Sequence, residues 1–107
     1  MSKALSVTTA NFDREVLEST IPVLVDFWAP WCPPCRAIGP EIDAVAESMD
    51  GKAKIFKLDV DQEPEVEARY GVKTIPTLII FKNGEPVGQI NGAVSRKVIT
   101  EKLNEYV

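Results

Sequence analysis

Cys32 and Cys35 are the only two cysteines in the chain, and Pro33 and Pro34 separate them. Placed at random in a chain this long, two cysteines would fall three apart about one time in fifty, so the spacing carries information. They lie where an apolar run, Val23–Trp28, passes through a turn with Pro30 into a helical pattern. A thiol at a helix start faces unpaired backbone N–H groups and the positive end of the helix dipole, and both favour its anion. A free cysteine with a pKa of about 8.5 is only about 3% thiolate at neutral pH, and this setting can bring the pKa to roughly 3.5–7.5. The thiolate is the nucleophile of disulfide exchange, which makes Cys32 the candidate attacker. Cys35, one turn further in and less exposed, is the candidate resolving thiol, attacking Cys32 once that residue is bonded to a partner's sulfur. Pro33 and Pro34 suit the first turn of a helix, where no N–H is needed for the ladder.

Asp26 is the other residue that suggests chemistry. A carboxylate in the middle of a buried strand is costly to ionise, so its pKa should rise and it can take up a proton near neutral pH. Two alternatives stand beside the redox reading of the cysteines. They could be incidental buried thiols, or they could belong to a zinc site, although such a site needs four ligands and the chain has one cysteine pair and no histidine.

The elements that must position these residues follow from the pattern of apolar positions. Leu5 and Val7 alternate with polar neighbours and suggest a short first strand. Thr8 or Thr9 can cap a helix whose apolar face is Phe12, Val16 and Leu17, ending before Pro22. Val23–Trp28 is apolar almost throughout, as expected of a central strand covered on both faces. The helix that begins at the cysteines carries Ile38, Ile42, Val45, Ala46 and Met49 on one stripe, with a kink expected at Pro40 and a stop at Gly51. Ile55, Phe56 and Leu58 mark a second central strand, with Lys57 among them. Residues 63–70 form a short helix with Pro64 in its first turn and Gly71 as its stop. Residues 77–81 return to strand, and Asn83-Gly84 turns the chain into an antiparallel strand at residues 87–90. Ser95 caps a last helix whose buried face is Val98, Ile99, Leu103 and Tyr106. The pattern gives an α/β class with a mixed sheet and helices on both faces.

Bulk properties narrow the function. At 107 residues, 45% of them hydrophobic, the chain is expected to form one domain over residues 1–107. Twelve basic against sixteen acidic residues give a net charge of −4, which argues against a nucleic-acid surface. No run approaches the roughly 18 apolar residues of a membrane span, and the first residues show no apolar leader. A cytoplasmic location is expected, and there a cysteine pair is seldom a structural staple.

Trp31-Cys32-x-Pro34-Cys35 after Asp26-Phe27-Trp28-Ala29, Lys57 before Asp59-Val60-Asp61, Tyr70-Gly71-Val72, Ile75-Pro76-Thr77, Phe81-Lys82-Asn83-Gly84 and a late Gly92 together resemble the thioredoxin family over nearly the whole chain. The resemblance implies the thioredoxin fold, a central mixed five-stranded sheet flanked by four helices. It also implies a thiol-disulfide oxidoreductase, a protein-disulfide reductase acting through a redox disulfide between Cys32 and Cys35. Asp26 would serve as general base for Cys35 and Lys57 as its charge partner, the alternative being that the two form a buried structural ion pair. Pro76 would follow a cis bond facing the cysteines, and Ile75 would offer its backbone to an extended substrate. Trp31, Pro33, Pro34, Gly92 and Ala93 would complete the substrate surface, whereas Trp28 reads as core and Tyr70 as packing.

The expected partners are proteins carrying disulfides and a thioredoxin reductase as electron donor, with no nucleic acid and no membrane. The chain is expected to act as a monomer, without bound metal or cofactor. Two rival readings use the same fold: a disulfide oxidant or isomerase, and a non-catalytic binding module using the apolar rim of Trp31, Ile75 and Ala93.

Pro33 departs from the family, which usually carries glycine there. It removes one N–H that could have faced the thiolate and narrows the freedom of the loop. Replacing Pro33 with glycine should shift the redox potential modestly and leave the mechanism intact. Equilibration of both proteins with glutathione reads this directly, and identical potentials would show that the residue is neutral.

Overall fold

The computed structural model describes residues 4–107. Residues 1–3, part of the stretch read above for a leader, lie outside the described residues. The five strands are β1 (Leu5–Ser6), β2 (Val23–Trp28), β3 (Lys54–Asp59), β4 (Thr77–Lys82) and β5 (Glu85–Asn91). The helices are α1 (Pro33–Ser48), α2 (Pro64–Arg69) and α3 (Arg96–Asn104), preceded by a π-helical segment at Asp13–Leu17. The strands form one sheet in the order β1-β3-β2-β4-β5. β1 and β2 run parallel to β3, and β4 runs antiparallel to both β2 and β5. This is the mixed five-stranded sheet with four flanking helices that the resemblance implied. No helix among the described residues is long and apolar enough to cross a membrane.

The alternation of a strand's side chains explains the two layers of core. Val23, Val25 and Phe27 face one way, into a cluster with Phe12, Val16, Phe56, Leu58, Val66 and Phe81 that the π-helical segment and α2 cover. Leu24 faces the other way, among Ile38, Ile42 and Val45 of α1 and Ile99 and Leu103 of α3. A strand covered on both faces must be apolar on both, and β2 departs from this rule only at Asp26.

The structure corrects four local expectations. Neither Thr8 nor Thr9 caps the first helix. The Thr8 N–H donates to Asn11 Oδ1 (2.8 Å) and the Asn11 N–H to Thr8 Oγ1 (3.4 Å), which closes a turn before the helix begins, and the Thr9 N–H donates to Glu63 Oε1 (2.7 Å). That helix is also wider than an α-helix, with the Glu18 N–H reaching the Asp13 carbonyl at 2.9 Å. Val98, expected inside, is exposed, because α3 buries only the narrower stripe of Ile99 and Leu103. Tyr106 lies beyond the end of α3, half-buried, and its hydroxyl donates to the Val87 carbonyl of β5 at 2.8 Å. Pro86 falls inside β5 rather than before it, and is tolerated because β5 is an edge strand whose register shifts opposite Ile80 and Phe81.

Phe12 fastens the π-helical segment to the sheet. Its ring, fully buried, lies 5.6 Å from Phe81 and 5.7 Å from Tyr70, centroid to centroid, with the Phe81 contact edge-on. Truncating Phe12 to alanine should cost about 3–5 kcal/mol of folding free energy, read as a lower urea midpoint with an unchanged slope.

Candidate functional site

β2 ends at Trp28, and five residues later the chain enters α1 with Cys32 as the N-cap. The Cys32 N–H donates to the Ala29 carbonyl at 3.2 Å, closing the turn that aims the residue at the helix axis. Cys32 has extended backbone angles, as an N-cap must, and its sulfur accepts a hydrogen bond from the Cys35 N–H at 3.3 Å. Pro33 and Pro34 fill the first two helical positions and have no N–H, so the Cys35 amide is the first donor the helix can offer. The same sulfur lies 3.9 Å from the Ile75 carbonyl oxygen.

Cys32 and Cys35 form a disulfide, with Cα atoms 5.2 Å apart. Both are almost completely buried, at 3% and 2% exposure, so the difference in exposure expected from the sequence is slight in the bridged state. Of the residues expected at the substrate surface, Trp31, Pro33, Pro34 and Ala93 are exposed, Ile75 and Gly92 half-buried and Pro76 buried. The Ile75–Pro76 bond is cis. The Gly92 N–H donates to the Pro76 carbonyl at 2.9 Å, with Gly92 at φ +88°, a conformation that favours glycine. Trp31 is 64% exposed, yet its indole N–H is held by Asp61 Oδ2 at 2.6 Å. The structure thus brings Trp31, Cys32, Cys35, Ile75, Pro76 and Gly92 together at the end of β2, joined by contacts from three parts of the chain.

Asp26 and Lys57 are opposite each other on adjacent strands. Asp26 is fully buried, and among the described residues neither carboxyl oxygen has a hydrogen-bond partner. Among the described residues it has no ion pair within 4 Å, so the two residues do not form the tight structural pair considered from the sequence. Burial pushes the Asp26 carboxyl up to about 7, and the more distant positive charge of Lys57 opposes that rise. The Lys57 ammonium lies instead over the Trp28 ring, 4.7 Å from its centroid. Sequence reasoning missed this contact, and it missed Asp61 as the partner of Trp31. Both depend on cross-strand and loop geometry that periodicity does not encode.

A family model described as Thioredoxin matches residues 3–105. The chain is 46% identical over 107 residues to Thioredoxin 1 of Nostoc sp. and 47% identical over 107 residues to Thioredoxin 1 of Synechococcus elongatus, the alignment covering all of both chains in each case. It is 48% identical over 101 residues to Thioredoxin of Porphyra purpurea, which covers 94% of either chain.

The Asp26 carboxyl has a consequence for stability. In the unfolded chain it titrates near the ordinary value of 3.8, and in the folded chain at about 7, so between those values the folded state binds more protons. The resulting stability is fully present below the lower value and is lost as pH rises through the upper one. Asp26→Asn carries no charge at either end. Its stability relative to the parent should therefore grow by on the order of 4 kcal/mol between about pH 4 and pH 8, measured by urea denaturation of the oxidised proteins.

Proposed function

The chain belongs to the thioredoxin family, and from that premise we propose how its residues divide the work of reducing a protein disulfide. It is a thiol-disulfide oxidoreductase that acts by dithiol-disulfide exchange, with protein disulfides as substrates and a reductase to return it to the dithiol form. The observation that carries the reading is the Cys32–Cys35 bridge across the first turn of α1, with the Cys35 N–H on the Cys32 sulfur. That amide favours negative charge on Cys32 when the bridge is open.

In the reduced protein the Cys32 thiolate attacks one sulfur of the substrate disulfide, and the other substrate sulfur leaves as a thiolate. Cys35 gives its proton to the Asp26 carboxylate and attacks the Cys32 sulfur. The second substrate sulfur leaves, and the Cys32–Cys35 bridge forms. Two electrons pass from the dithiol to the substrate. A carboxyl titrating at about 7 is matched to this work, since it is part ionised at neutral pH and holds the proton once it arrives. Lys57 supplies the opposing charge that keeps the carboxyl from rising further. The exposed Trp31, Pro33, Pro34 and Ala93, with Ile75, Pro76 and Gly92, form the surface on which an extended substrate segment lies. We assign residues 1–107 to a single monomeric domain acting in the cytoplasm, and the one continuous five-stranded sheet supports the single domain.

Removing each thiol in turn tests the division of labour. Cys35→Ser should still attack, accumulate a covalent adduct with the substrate through Cys32 and lose turnover to the uncatalysed background. Cys32→Ser should form no adduct at all. Insulin reduction followed beside non-reducing electrophoresis separates these outcomes, and an adduct formed by Cys32→Ser would reverse the assignment.

A further inference from the structure

We propose that Trp28 is a positioning residue: its indole face holds the Lys57 ammonium away from the Asp26 carboxyl. Lys57 is the register partner of Asp26 on β3, and Trp28 stands two residues further along β2, opposite Asp59. From β3 the lysine side chain can therefore reach either the carboxyl or, diagonally, the indole. It takes the indole, at 4.7 Å from the ring centroid, well inside the roughly 6 Å over which an aromatic face attracts a cation. The carboxyl is left with no partner on either oxygen. Both Trp28 and Lys57 are half-buried, so an ammonium over the ring keeps contact with water that it would lose beside the fully buried Asp26.

Among the described residues, Lys57 is the one charge that acts on the carboxyl. On β4 its register partner is Leu78. The core-facing side chains of α1 and α3 on the Leu24 side of the sheet are Ile38, Ile42, Ile99 and Leu103, none of which titrates. Cys35 is held in the bridge and does not titrate in this state. The position of one ammonium therefore sets the field at Asp26, and Trp28 sets that position. An ammonium brought within about 4–6 Å would draw the carboxyl down by about 1–3 pH units and weaken it as a proton acceptor. The kinetic meaning rests on the reading of Asp26 as the base for Cys35, whereas the positioning itself does not.

The test is an NMR titration of the Asp26 carboxyl in the oxidised protein, where no thiol titrates and no turnover is involved. Trp28→Leu should lower the midpoint by about 1 pH unit, and Trp28→Phe, which keeps a weaker aromatic face, should stay closer to the parent. In a Lys57→Met background Trp28→Leu should no longer lower the midpoint. An unchanged midpoint in Trp28→Leu would overturn the proposal. So would an equal fall in the Lys57→Met background, since water entry rather than the lysine would then be responsible. Should Trp28→Leu fail to fold, Trp28→Phe and the unmodified protein decide. The Lys57 ε-methylene protons must show the upfield displacement of a group stacked on an indole, and ordinary shifts there would sink the idea. Mixed-disulfide release measured against pH then tests the base separately: a half-maximum that ignores a displaced Asp26 midpoint would remove the catalytic role and leave the positioning intact.

Discussion

The structure depends on a strand with no freedom to move. β2 is paired along both edges, to β3 and β4, and packed on both faces by apolar side chains. A strand held on four sides fixes where its last residue points. The turn that follows is short enough for the Ala29 carbonyl to catch the Cys32 N–H, so the sheet determines the place and direction of α1. The chemistry of Cys32 is a matter of that direction, because a helix offers its free N–H groups only at its start.

The same burial makes Asp26 unusual. In an exposed strand this carboxyl would ionise like any other, and a paired one would be locked as an anion. Here desolvation and a lysine held at a distance work against each other, and the balance falls at about 7. The fold is less stable at neutral pH for it, and on the reading proposed above the same carboxyl is the proton acceptor for Cys35. Such a conflict between folding and local comfort is expected where function resides.

Much of this was legible in the sequence. Val23–Trp28 could be read as central because six nearly unbroken apolar residues cannot face water on either side, and Asp26 stood out against them. α1 could be read from its stripe of Ile38, Ile42 and Val45, and its start from the prolines. Less legible were the places where two local solutions compete. Thr8 and Asn11 each bond the other's backbone N–H, and the turn they close lies ahead of the helix instead of capping it. Val98 has the hydrophobicity of a core residue, but α3 rests on the sheet along a stripe too narrow to include it. The contacts of Trp28 with Lys57 and of Trp31 with Asp61 join residues 29 and 30 positions apart, and no periodicity links such pairs.

Trp31 shows what a single tether achieves. A large aromatic side chain in water samples several rotamers, and fixing it on contact with a partner costs entropy. The Asp61 carboxylate grips the indole N–H of Trp31, and Asp61 is itself tied down, its own N–H donating to Asp59 Oδ1 at 3.0 Å. The ring is thus preorganised before any encounter. The hydrogen bond occupies only the ring's edge, so on the reading proposed above the exposed flat face is left free to meet an incoming peptide whatever its sequence.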